Sequence, residues 1–359
     1  MDAKISAKTD TKTTRRSKQG IFHPFPEPPA PGAALEVASG VYWLRMPLPF
    51  ALDHVNLWLL EDGAGWSAVD CGFALDETRQ AWRQIFAGAM QGRPMRRLIV
   101  THHHPDHLGL AAWLAGRWGA EIAMTAGEWR AARAAFEGVT TDPEAWIAFF
   151  RSHGLAETHD ATIRSRGPTY RRGVPELPDA VHHMAEGDEL AIDGRSWRVI
   201  VGQGHAPEHA SLYCREKNVL IAGDQILPRI TPNISVRHYE PEGDPLGVYL
   251  ASLEKFRALP AGTFVLPSHD LPFVGLSARL DGLLRHHEAR LKTVLAACAE
   301  PISAAELIPY LFKRKLDTHG LSFAMGESLA HAQYLAHRGR LARVTGADGI
   351  FRFVRKERG

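Results

Sequence analysis

Three cysteines in 359 residues, Cys71, Cys214 and Cys298, are too few and too widely spaced for a disulfide framework. None sits in a C-x-x-C pair, which also excludes a cysteine-ligated zinc knuckle. No apolar run approaches the roughly 18–20 residues that span a bilayer, so no membrane segment is expected. Residues 1–20 lack the apolar stretch of a secretory leader. The expected compartment is the cytoplasm. A large excess of one charge is also missing, but the net +2 hides an asymmetry. The first 20 residues carry six basic against two acidic side chains, and residues 277–359 carry fourteen against eight. That leaves 22 basic and 30 acidic residues in 21–276. An acidic body is a poor footprint for long nucleic acid, and a basic tail a better one.

What is present is an alternation of short apolar runs with helical patterns, the mark of an α/β domain. Residues 1–34 read as a disordered basic and proline-rich lead-in. Strand-like runs follow at Val41–Met46, Asn56–Leu60 and Ser67–Val69, then a helix over Asp76–Ala87. The run Arg97–Val100 leads straight into His102, a helical stretch covers Leu110–Trp118, and Glu121–Met124 is the next strand. Residues 127–187 break the pattern with two aromatic-rich helices, Glu128–Phe136 and Pro143–His153, and read as a helical insertion serving either as a cap or as extra packing. Strands resume over Glu189–Ile192, Trp197–Val201, Ala210–Cys214 and Val219–Ala222, closing the body 35–276 after Phe264–Leu266. In 277–359 a long helix precedes helix, helix and β-ribbon (Ser303–Phe312, Glu327–His337, Leu341–Val344 with Ile350–Val354), a winged-helix-like order.

The central signal is His102-His103-His104-Pro105-Asp106-His107. An H-x-H-x-D-H pattern arises by chance in roughly one such chain in a few hundred. It begins where an apolar strand ends, the edge at which α/β sheets place their sites. Alternate residues of extended chain point the same way, so His102 and His104 can grip one ion while His103 points elsewhere. Pro105 keeps His104 extended, and Asp106 and His107 can address a second ion. Imidazole and carboxylate without thiolate suit Zn²⁺, and also Mn²⁺ or Fe.

These residues, with four further motifs in order, resemble the metallo-beta-lactamase superfamily. The others are Asp70-Cys71-Gly72, Gly204-His205-Ala206-Pro207-Glu208-His209, Ala222-Gly223-Asp224 and Pro267-Ser268-His269. The resemblance runs from about 36 to 275 and implies an α/β αββα sandwich. It also implies two divalent ions, one held by His102, His104 and His205, the other by Asp106, His107 and His269, with Asp224 bridging. His209, beside His205, is the rival for its place. By the same resemblance a hydroxide shared by the two ions attacks the substrate, Asp106 orients it and accepts its proton, and Asp70 orients a ligand histidine. Glu208 departs from the glycine usual there.

The substrate is less defined. A small ester, thioester or lactone fits the acidic body and the aromatic insertion, with Tyr170, Arg164, Arg166, Arg171 and Arg172 as possible anion contacts. The stretch Gln225-Ile226-Leu227-Pro228 lacks the tyrosine that follows the bridging aspartate in acyl-homoserine lactonases. The body plus tail is similar to a beta-lactamase-like subgroup with a C-terminal winged helix, which includes single-strand endoribonucleases. Cleavage of RNA is therefore the alternative, although Glu327–His337 carries no Lys or Arg.

Overall fold

The computed structural model describes residues 20–165, 169–313, 316 and 318–356. The first sheet opens as a meander of β1 (Leu35–Ala38), β2 (Val41–Pro47), β3 (His54–Asp62) and β4 (Gly65–Val69). Helix α1 (Asp76–Ala87) crosses to β5 (Met95–Ile99), and a short α2 (Pro105–Leu108) with α3 (Ala111–Trp118) crosses to β6 (Glu121–Thr125). Four helices follow, α4 (Ala126–Phe136), α5 (Pro143–Ser152), α6 (Asp160–Ser165) and α7 (Thr169–Gly173), before β7 (His182–Met184) completes the sheet. Its strands lie in chain order, antiparallel through β4 and parallel from there to β7.

The second sheet contains β8 (Glu189–Ile192), β9 (Arg195–Gly202), β10 (His209–Cys214) and β11 (Val219–Gly223). After α8 (Pro245–Arg257) come β12 (Phe264–Pro267) and β13 (Phe273–Val274), and the order is β13-β12-β11-β10-β9-β8. Both sheets are buried on two faces, because successive strand residues point to opposite sides. In β3, Trp58 and Leu60 face the second sheet and meet Trp43, Val199, Leu212 and Ile221, while Leu57 and Leu59 lie under Trp82 and Ile85 of α1. The rings of Trp43 and Trp58 stack between the sheets with centroids 6.3 Å apart. On the far side, Leu220 and Val265 carry Tyr249, Leu253 and Phe256 of α8. Helix, sheet, sheet, helix is the expected layering.

The C-terminal piece is α9 (Leu276–Ala297), β14 (Ile302–Ser303), α10 (Ala304–Leu311), α11 (Thr318–His337), β15 (Leu341–Thr345) and β16 (Phe351–Arg355), with strand order β14-β16-β15. A capping box of Ser303 and Glu306 starts α10 by satisfying otherwise orphaned N–H groups.

Several expectations change. Residues 1–19 lie outside the described residues, but 20–34 are not without structure. Ile21 is buried, and Phe22 exchanges backbone hydrogen bonds with Val274, because β13 leaves an edge to pair. The aromatics of the insertion build core rather than a substrate wall. Phe149 and Phe150 of α5 pack in one cluster with Leu307 and Leu329, and His153 O accepts Ala305 N. Helix α8 is absent from the sequence reading, since Pro245, Gly247 and Val248 depress the helical signal. Helix α11 starts nine residues earlier than Glu327. Among the described residues, no helix is long and apolar enough to cross a membrane.

Candidate metal centre

Four strands, β5, β9, β11 and β12, end on the same rim, and each delivers part of one cluster. Past β5, Val100 N bonds Ala123 O, and the chain then leaves the sheet. His104 is extended (φ −63°, ψ 149°), as a residue before proline prefers, and Pro105 opens α2 so that Asp106 and His107 turn back toward His102. At the end of β11, Gly223 has φ 55°, and a Cβ there would lie 2.4 Å from the His209 ring, so only glycine lets Asp224 enter.

The ligand atoms form two sets, His102, His104, His205 and Asp224, and Asp106, His107 and His269, each within 4.8 Å of one another. His102 Nε2 lies 2.9 Å from His104 Nδ1 and 3.3 Å from His205 Nε2. Asp224 joins the sets, with Oδ2 3.3 Å from His205 Nε2 and Oδ1 3.3 Å from His269 Nε2. Asp106 Oδ2 is 3.4 Å from His107 Nε2 and 3.6 Å from His269 Nε2.

Groups behind the cluster decide which nitrogen faces it. His107 Nδ1 donates to Asp70 Oδ2 at 2.7 Å, His205 Nδ1 to Asn233 O at 2.9 Å, and His269 Nδ1 to His54 O at 2.9 Å. Thr101 Oγ1 donates to Asp70 Oδ2 and so accepts from His102 Nδ1 at 3.0 Å. Each of these four imidazoles thus turns its Nε2 inward, and in the neutral ring that nitrogen carries the lone pair.

Burial, reinforced by neighbouring imidazoles, holds His102 and His104 well below the usual histidine range, hence neutral. Burial presses His107 the same way, but Asp106, Asp70 and Asp224 outweigh it and hold it well above. Burial opposes the charge on Asp224 too, yet His269 and His107 keep its carboxyl well below the carboxylate range. His107 Nε2 and Asp224 Oδ1 are buried without a hydrogen-bond partner among the described residues. Inward-facing imidazole lone pairs, an orphaned nitrogen and an orphaned carboxylate oxygen fit cations and little else.

Other sequence candidates fall outside the cluster. His209 Nε2 accepts Asp224 N at 3.0 Å, and burial lowers the ring to about 3, so it stays a neutral acceptor. His103 turns to Glu128, 2.5 Å from Nδ1. Glu128 also takes Glu208 N, while the Glu208 side chain takes Gly127 N, which gives the glutamate at 208 a structural use. Cys71 donates to His107 O, and burial pushes its thiol well up, away from nucleophile chemistry. Tyr170 donates to His103 O, Arg164 pairs with exposed Glu144, and Arg171 bonds Phe136 O. These three are therefore committed elsewhere rather than poised for an anion, and Arg166 lies outside the described residues. The sequence reading misses Thr101, Glu128 and the carbonyls of His54 and Asn233. Thr101 adjoins the motif and was open to view, whereas a carbonyl has no residue signature.

Residues 51–269 match the family described as the metallo-beta-lactamase superfamily, and residues 291–356 match the metallo-beta-lactamase-like C-terminal domain. The chain belongs to the metallo-beta-lactamase superfamily. It is similar to a beta-lactamase domain protein from Burkholderia ambifaria, at 44% identity over 94% of this chain and 98% of that one, with a TM-score of 0.88. It is 25% identical to the probable metallo-hydrolase YqjP of Bacillus subtilis, over 81% of this chain and 91% of that protein. A shorter match, 26% identical over 36% of this chain and 41% of the relative, is to the atrochrysone carboxyl ACP thioesterase AacuM of Aspergillus aculeatus. The expectation of a metal-dependent hydrolase of this superfamily stands.

Proposed function

We propose that this superfamily member is a dinuclear hydrolase of small esters or thioesters, with lactones as the cyclic case, working in the cytoplasm. The observation that carries the reading is the pair of ligand sets joined by Asp224, with the orphaned Asp224 Oδ1 between them. His102, His104 and His205 would hold one cation, Asp106, His107 and His269 the other, and Asp224 both; Zn²⁺ suits the donors best, with Mn²⁺ or Fe as alternatives. Bound cations supply Lewis acidity and water activation near neutral pH. The protein's own part is the rest. Asp106, with 19% of its side chain exposed, is the carboxylate with access to the rim, placed to orient a water and take its proton at Oδ2. The carbonyls of Asn233 and His54 and the carboxylate of Asp70 hold the imidazoles in register, so no reorganisation is needed during reaction. The likeness to an ACP thioesterase supports an acyl substrate.

The C-terminal order of helix, strand, two helices and hairpin supports a winged-helix reading. Against RNA reading by α11, its residues 324–333 are all buried. Metal analysis combined with a panel of aryl esters, thioesters, lactones and single-stranded RNA tests the proposal, with Asp106→Ala and Asp224→Ala as controls. Two ions per chain and ester or thioester turnover lost in both variants are expected. Turnover surviving both substitutions, or activity on RNA alone, overturns it.

A further inference from the structure

Two residues belong to the ligand loops without joining the cluster: His103, between His102 and His104, and Glu208, just past His205. Each is held at its backbone N–H, its carbonyl and its side chain. From His103, N donates to Glu128 Oε2 at 3.0 Å and the ring Nδ1 lies 2.5 Å from the same oxygen, while its O accepts Tyr170 OH at 2.7 Å. From Glu208, N donates to Glu128 Oε1 at 2.7 Å, O accepts Thr125 Oγ1 at 2.8 Å, and Oε2 accepts Gly127 N at 2.6 Å. Apart from the tyrosine contact, all of these bonds end on Thr125, Gly127 or Glu128, at the start of α4. The fit there is close, since a Cβ at Gly127 would lie 2.5 Å from Glu208 Cδ.

Glu128 is the member that touches both loops, one with each oxygen. Its side chain is wholly buried, where a carboxylate is costly unless its oxygens are hydrogen-bonded. The first turn of α4 favours its charge, and the donors of the two loops complete its surroundings. Two of those donors are backbone N–H groups, which can only donate. A glutamine of the same shape accepts with one atom and donates with the other, so its NH2 would face one of the two N–H groups. The carboxylate therefore fixes how the His102–His104 loop stands against the His205 loop, where His102 Nε2 is 3.3 Å from His205 Nε2. The remaining ligands hang on other supports. His107 O accepts Cys71 N at 3.0 Å and its ring meets Asp70, while the His269 ring meets His54 O.

We propose that Glu128 is a positioning residue that, by holding both loops, sets the affinity of the cation at His102, His104 and His205 and not that of the cation at Asp106, His107 and His269. This rests on the two-ion reading above. Titration of the metal-free chain with Co²⁺, followed by visible absorption, tests it in two backgrounds, each with one ligand set disabled. In Asp106→Ala, which keeps the first set, adding Glu128→Gln is expected to weaken the ion about ten-fold or more, the usual scale for losing a partner behind a metal ligand. In His205→Ala, which keeps the second set, the same substitution is expected to change affinity by less than about two-fold, as for uncoupled sites. Val294→Ala, a truncation of a buried side chain in α9, lowers Tm elsewhere in the chain and should leave both affinities alone. Equal weakening in the two backgrounds, weakening in neither, or the same loss in V294A overturns the proposal. Should E128Q not fold, Glu208→Ala opens the same clasp from its half-buried side and is read in the same way. The stoichiometry of the wild type judges the two-ion reading separately. A single ion fails that reading, and Glu128 then stands if this ion is lost in H205A and weakened in E128Q, and falls otherwise. A wild type that takes up no ion overturns both.

Discussion

Asp70 Oδ2 lies 2.7 Å from His107 Nδ1, with both side chains buried. The same carboxylate accepts Thr101 Oγ1 at 2.9 Å and Thr101 N at 2.8 Å, so it fixes His107 directly and His102 through the threonine hydroxyl. Asp70 itself has φ 64°, a left-handed conformation that asparagine also tolerates. Asp70→Asn therefore keeps the backbone while turning one acceptor oxygen into a donor. Cation affinity is expected to fall about 10–100-fold, the usual scale for losing a partner behind a ligand histidine. Chelator competition on D70N measures this, and unaltered affinity with normal folding would remove Asp70 from the centre.

The two ligand sets differ in the protons they carry. Opposing burial, the surrounding carboxylates raise His107 and His269, so these rings hold a second proton to higher pH than an ordinary histidine. His102 and His104, lowered by burial, have no proton to lose. A cation needs neutral imidazoles, so filling the Asp106, His107 and His269 set must release protons. Its apparent affinity should rise with pH by up to about ten-fold per unit for each proton displaced, with a weaker trend in the other set. Calorimetry in buffers of unequal ionisation enthalpy counts those protons. Equal release on filling both sets would contradict the charge assignment.

Much of this centre was open to sequence reasoning because its side chains lie in short motifs at strand ends. The spacing of His102, His104, Asp106 and His107 encodes direction as well as identity, and Gly204 and Gly223 flag the close approaches beside His205 and Asp224. The contest between His205 and His209 turns on a contact of the His209 ring with Asp224 N, which no spacing expresses. The same holds for Asn233 and His54, which act through carbonyls. Phe149 and Phe150 left two readings open, cap or packing, for another reason. Composition reports that aromatics are present but not which neighbour covers them, and here the cover comes from Leu307 and Leu329, far along the chain.

Helices α9 and α11 meet at a buried histidine pair, His287 Nδ1 lying 3.2 Å from His331 Nε2. Burial, aided for His287 by the neighbouring His331, lowers His287 to about 2 and His331 to about 4. Both rings are neutral in the folded chain, whereas the unfolded chain protonates them near pH ~6.5. Below that pH the unfolded state binds more protons, so the stability present above it drains away as pH falls toward the folded values. The slope is at most about 1.4 kcal/mol per pH unit for each ring. A Tm series from pH 7 to pH 4 should therefore drop more steeply in the wild type than in His331→Gln. Parallel curves would show that this pair does not set the acid limit.

Gly326 of α11 ties the C-terminal piece to the metal centre. A Cβ at 326 would stand 2.5 Å from Ser235 Oγ and 2.6 Å from Ser235 Cβ, closer than atoms can pack. Ser235 lies two residues from Asn233, whose carbonyl aligns His205. Gly326→Ala should thus push the 233–237 segment off α11 and disturb His205. Overpacking of this kind costs about 1–3 kcal/mol, against the few tenths to 1 kcal/mol by which alanine favours a helix over glycine. A lower Tm and a weaker ion at the His102, His104 and His205 set are expected together. Ser235→Gly in the same chain opens the space again and should restore both, since residues in contact couple rather than add. Were the second substitution to restore Tm but not ion affinity, α11 would be a mere packing partner, and the link from Gly326 through Asn233 to His205 would be broken.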